Sequence, residues 1–93
     1  MPTDIIIAEQ MLELANTASD LLVGLQCHDT PEVLREARRL KDQAVKYGTG
    51  QLAITAHNME LAAASGDLDA AGLLIPELHN CLKSYSSHPP DRR

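Results

Sequence analysis

A chain with no Phe, no Trp and only two Tyr among its 93 residues must fill its interior with aliphatic side chains. Leu, Ile, Ala, Val and Met suit closely packed helices better than they suit strands. A chain of this length has room for one domain and one core, and a hydrophobic share of 44% is enough to build it.

The apolar spacing follows the same direction. From Asp4 to Gln26, residues Ile6, Ile7, Met11, Leu14, Ala18, Leu21, Leu22 and Leu25 recur at steps of three and four, which marks one helix face. Asn16-Thr17-Ala18-Ser19-Asp20 holds weak helix formers, so a kink is expected there. Cys27-His28-Asp29-Thr30-Pro31 reads as a turn, with Thr30 as N-cap and Pro31 at the first helical position of a second helix reaching Lys46. Its stripe is Val33, Leu34, Ala37, Leu40, Ala44 and Tyr47, and Gly48-Thr49-Gly50 ends it.

A third helix is expected over Gln51–Ala64, with Leu52, Ala53, Ala56, Met59 and Ala63 inward. Ser65-Gly66-Asp67 combines a C-terminal glycine with an N-cap aspartate, a tight helix–helix turn. The fourth helix, Leu68–Tyr85, turns Ala71, Leu74, Leu78, Cys81, Leu82 and Tyr85 inward. Pro76 should kink it by colliding with the carbonyl of Gly72. Short turns make antiparallel neighbours, so the expected fold is an all-α, antiparallel up-down-up-down four-helix bundle over residues 1–85. The polar tail 86–93 is expected to be disordered.

Charge and special residues narrow the function classes. A net charge of −5 argues against nucleic acid, whose phosphates need clustered Lys and Arg. Cys27 and Cys81 are too few and too widely spaced for a disulfide framework or a zinc site, and both are expected in or near the core. Met1-Pro2-Thr3-Asp4 has no basic n-region, and no apolar run approaches the roughly 20 residues of a membrane span. We therefore expect a cytoplasmic protein with no membrane partner. No phosphate-binding glycine loop, Ser/His/Asp arrangement or inward carboxylate pair stands out, so no cofactor, no metal and no enzyme activity is expected.

The middle of the chain carries the most specific pattern. Leu34-Arg35-Glu36-Ala37-Arg38-Arg39-Leu40-Lys41-Asp42-Gln43-Ala44 is followed by Tyr47-Gly48 and Gln51-Leu52-Ala53. Asp29 and Val33 precede it. Met59-Glu60 and Ser65-Gly66-Asp67-Leu68 follow it. Together these resemble the histidine phosphotransfer (HPt) domain family, whose active helix reads A-H-x-L-K-G with a loop glycine before the next helix. Ala37, Leu40, Lys41 and Gly48 match, and the resemblance spans Met11 to Leu82.

Two departures decide what the resemblance implies. Arg38 stands where the family has its phosphate-accepting histidine, and Asp42 stands where it has the following glycine. That histidine attacks the phosphorylated aspartate of a receiver domain with a neutral imidazole nitrogen. A guanidinium stays protonated and offers no lone pair. Asp42 fills the space left by the glycine, can pair with Arg38 at i+4, and would repel an incoming phosphoryl group. The resemblance thus implies a module that has left phosphotransfer and docks a receiver domain of a response regulator, or a histidine kinase, without catalysis.

The candidate docking residues are Arg35, Arg38, Arg39, Lys41 and Asp42, with Lys46 beyond them. From Arg35 to Lys46 five cations stand against Glu36 and Asp42, a net of +3 that leaves −8 on the rest of the chain. A basic face on an acidic bundle suits the carboxylate pocket of a receiver domain. The plainer alternative is a solvated helix face trading i,i+4 contacts. Of the histidines, His28 lies in a turn, His88 in the tail, and His57 and His79 off the core. His57, in mid-helix, is the candidate for a displaced phosphate acceptor, which would make the chain an active phosphorelay carrier. A third alternative is a structural bundle or homodimer with no phosphorelay role. Neither oligomeric state nor partner identity follows from the sequence.

Overall fold

The computed structural model describes the backbone of residues 2–87 and the side chains of residues 9–84. Every element among the described residues is a helix: α1 Pro2–Gln26, α2 Thr30–Lys46, α3 Gly50–Ala64, α4 Leu68–Leu73 and α5 Ile75–Ser87. α2 and α3 form the most extensive pair. α1 lies against α2, α4 and α5 lie against α3, and α5 returns to α1.

The first three connections are one turn repeated. His28, Gly48 and Gly66 take the left-handed conformation, with φ of 55°, 77° and 78°. The next residue in each turn, Asp29, Thr49 or Asp67, donates its N–H to a carbonyl five residues back, on Gly24, Ala44 or Ala62, at 2.9 Å each time. This closes the preceding helix. The same residue is the N-cap of the helix that follows. Asp29 accepts from the N–H of Glu32 and Asp67 from that of Ala70, whereas Thr49 makes no side-chain cap bond. The α2 cap is therefore Asp29 rather than Thr30. Thr30 is already helical, and the carboxylate is the acceptor that meets the free N–H groups.

α1 runs unbroken through residues 16–20, where a kink was expected. Thr17 turns its hydroxyl back onto the carbonyl of Glu13 at 3.1 Å, so its polarity is satisfied inside the helix. Pro76 does break the last helix. Leu74 forms a tight turn to the carbonyl of Ala71 (3.1 Å), and the helix resumes as Leu78 donates to Leu74 (2.9 Å). Proline has no N–H for the carbonyl four residues earlier, so α4 stops and α5 restarts.

The core is almost wholly aliphatic. Leu14, Leu21, Leu40, Leu52, Met59 and Leu78 are fully buried, joined by Ala18, Ala37, Ala44, Ala56, Cys81 and Leu82. Each buried Leu or Met stabilises the fold by about 1.5–3 kcal/mol. Met11, Leu25, Tyr47, Ala53, Leu74 and Ile75 pack against this core while partly exposed. The expected inward positions Ile6, Ile7 and Tyr85 lie outside the described side chains. α5 continues through Ser87, two residues into the expected tail, and 88–93 lie outside the described residues.

Cys81 is buried, 3.6 Å from the hydroxyl of Thr55. Cys27 is exposed, contrary to expectation, because it falls just past the end of α1, where the chain leaves the core for the His28 turn. No described helix is long and apolar enough to cross a membrane.

Candidate docking face on α2

α2 is the most strongly two-sided helix. Val33, Ala37, Leu40 and Ala44 point into the core. On the outer side Arg35, Arg38, Arg39, Asp42 and Lys46 recur at three- and four-residue steps and, together with the buried Gln43, line one shallow depression of about 320 Å³. Four of the five docking residues expected from the sequence, Arg35, Arg38, Arg39 and Asp42, thus meet at one place, with Lys46 beside them. Lys41 is not among them.

Lys41 and Arg38 reach instead across the α2–α3 seam to one carboxylate. Arg38 Nε donates to Glu60 Oε2 at 2.9 Å, and Lys41 Nζ to Glu60 Oε1 at 2.8 Å. His57 Nδ1, one turn earlier on α3, lies 3.7 Å from the same Oε1. The Lys41 hydrogen bond first, and the Arg38 hydrogen bond second, hold the Glu60 carboxyl below its ordinary value, against partial desolvation that pushes it up. Arg38 therefore pairs with Glu60 and not with Asp42. Asp42 is exposed and makes no ion pair among the described residues.

The remaining cations keep looser company. Arg35 is bonded to Glu32, one turn back on its own helix. Arg35 Nε and an Arg39 terminal nitrogen stand 3.6 and 3.8 Å from the buried carboxylate of Glu36. Lys46 lies 5.5 Å from the ring centre of Tyr47, a cation–π contact. The side chains of Arg35, Arg38 and Arg39 remain 70%, 59% and 57% exposed, so a partner can reach all three.

Beneath this rim lies a polar layer toward α1. Gln43 Nε2 donates to Glu13 Oε2 at 3.1 Å, and the Tyr47 hydroxyl donates to the other Glu13 oxygen. Glu36 Oε1 and Gln43 Oε1 are buried without a hydrogen-bond donor among the described residues. Sequence reasoning missed Glu13, Glu36 and Gln43. The signal was available for two of them: Glu36 and Gln43 are seven apart, flanking the Ala37–Leu40–Ala44 stripe. The tie from Glu60 to Arg38 and Lys41 went unseen, because a tie between helices has no mark in local spacing.

Among the described residues no three His, Cys, Asp or Glu side chains gather as a metal site would require. No family model, curated protein or solved structure matches this chain. The HPt resemblance therefore stands on the residues quoted for it.

Proposed function

We propose that this chain is an HPt-like signalling module that docks an acidic protein surface, that of a receiver domain or a histidine kinase, through the outer face of α2, and takes no phosphate at Arg38. The observation that carries this reading is the meeting of Arg35, Arg38, Arg39 and Lys46 around one depression on a chain that is otherwise acidic. Such a face attracts carboxylates and steers their approach. The Nε bond to Glu60 fixes the Arg38 guanidinium in place. Its terminal nitrogens, which meet no acceptor among the described residues, are left for a two-point contact with a partner carboxylate. The repeated tight turns and the helix ring support an antiparallel up-down-up-down order of the HPt kind.

The test is direct binding to purified receiver domains and histidine-kinase fragments from the source cell, at two salt concentrations. The variant should reverse Arg35, Arg39 and Lys46 to Glu, and spare Arg38 and Lys41, which join α2 to α3. Binding by the wild type that falls with salt and is lost in the variant, with helix content unchanged, supports the proposal. Equal binding by both proteins, or binding to neither class, refutes it.

A further inference from the structure

A second depression, of about 460 Å³, shares no residue with the α2 face. It lies between the end of α1, which supplies Leu22 and Leu25, and the α4–α5 segment, which supplies Leu68, Leu73 and Ile75. Pro76 divides the last helix beside it, and α4 rests mainly on α3, so its seam with α1 is left open. Gly72 lines the same seam, and no atom stands within 4 Å of where its Cβ would be. Leu73 is 81% exposed, more than any other large apolar side chain among the described residues. Apolar surface gathered in one groove marks a place where a partner is received.

The charge around this groove is of one sign. The chain has no Lys or Arg from Met1 to Leu34, nor from Tyr47 to Leu82, and both stretches that build the groove fall inside those limits. Asp69 lines it, and Asp20, Asp29, Asp67 and Glu77 lie within two residues of its lining. All five are exposed, and none pairs with a Lys or Arg among the described residues. An aliphatic floor with an acidic, unneutralised border complements an apolar surface flanked by cations.

We propose that this groove receives an amphipathic helix of a partner protein, with aliphatic anchors along one face and Lys or Arg beside them. A helix brings its own backbone hydrogen bonds and lays anchors at i, i+3, i+4 and i+7 into a seam between two others. An extended peptide would need a strand edge, and every element among the described residues is a helix. A second copy is the wrong occupant. It brings the same acids, and its one basic helix, α2, keeps its aliphatic stripe in its own core. A small apolar molecule would leave the five carboxylates without a counter-charge.

The experiment titrates the full, isotope-labelled chain with a synthetic Leu/Lys peptide about four helical turns long, its Leu residues spaced to form one face, and follows amide shifts by NMR. The expected shifts gather in residues 22–28 and 68–75. A reordered peptide of the same composition, with no apolar face, should bind about tenfold more weakly or worse. Leu73→Ala with Asp69→Asn should weaken the ordered peptide by about tenfold. Alanine is the better helix former, so loss at Leu73 is not unfolding, and circular dichroism checks the pair. Shifts centred on another surface, equal affinity for the two peptides, or variants that bind as the wild type does would overturn the proposal. So would a dimer that Leu73→Ala dissolves, which assigns the groove to a second copy. Shifts there from dissolved toluene with none from the peptide would overturn it in favour of a small apolar ligand. The groove variants spare α2 and should leave receiver or kinase docking unchanged, so either reading can fail alone.

Discussion

The Nε–H of Arg38 donates to the carboxylate of Glu60 at 2.9 Å, twenty-two positions along the chain. Arg38 is thus a tie between α2 and α3. Lys41 reinforces it from one turn along α2.

This tie makes stability depend on pH through Glu60. Its folded-state pKa is depressed below the ordinary 4.5, so the ionised form stabilises the fold. That contribution is complete above the unfolded value and is lost as pH falls through the lower folded value. Glu60→Gln should therefore destabilise the protein modestly at pH 7, by about 1 kcal/mol or less for such an accessible network. It should also flatten the loss of stability below about pH 4.5. Urea unfolding across pH 3–7, an interval chosen to span that range roughly, reads both effects. A variant that stays parallel to wild type through the acid range would show that Glu60 carries no such coupling.

Glu36 offers the opposite case. Its carboxylate is buried, its contacts to Arg35 and Arg39 are long, and Oε1 has no hydrogen-bond donor among the described residues. Desolvating a charge with poor partners costs stability that a matched apolar side chain avoids. Glu36→Met should raise the unfolding free energy by about 1 kcal/mol at pH 7, read as a higher urea midpoint. It should also make the α2 face more basic. A fall in the midpoint would mean that the arginines hold Glu36 more firmly than these distances indicate.

Two glycines should respond with opposite signs to alanine. A Cβ on Gly24 would stand 3.1 Å from both Val33 Cγ2 and Glu32 Cγ, where α1 passes the start of α2. Gly24→Ala should cost about 1–3 kcal/mol, as overpacking does. A Cβ on Gly72 meets nothing within 4 Å, and Gly72 lies inside α4. Gly72→Ala should stabilise by up to about 1 kcal/mol through helix propensity. Thermal unfolding of the two single variants compares them, and shifts of the same sign would contradict the close α1–α2 approach.

Much of the architecture was legible in local pattern. Leu14, Leu21, Leu40, Leu52, Met59 and Leu78 were placed inward from their spacing alone, and all are fully buried. Helical periodicity reports which side of a helix is apolar, and burial follows that side. Gly48 and Gly66 were readable as turns because glycine enters the left-handed region without steric cost. The third turn was harder to type. It puts His28 in that region, a residue that favours it far less than glycine does.

What the sequence determined by itself, then, is the helical elements, their apolar faces and the basic outer stripe of α2, since each is written in residues three or four apart. What only the tertiary structure decided is the company those charges keep. Asp42, four residues along, was the local candidate for Arg38, yet Arg38 and Lys41 turn to Glu60 on the neighbouring helix. Gln43 and Tyr47 turn to Glu13 on another. Each of these partners lies 19 or more residues away along the chain. Long, flexible polar side chains choose among acceptors by distance in space, which exists only once the helices have packed.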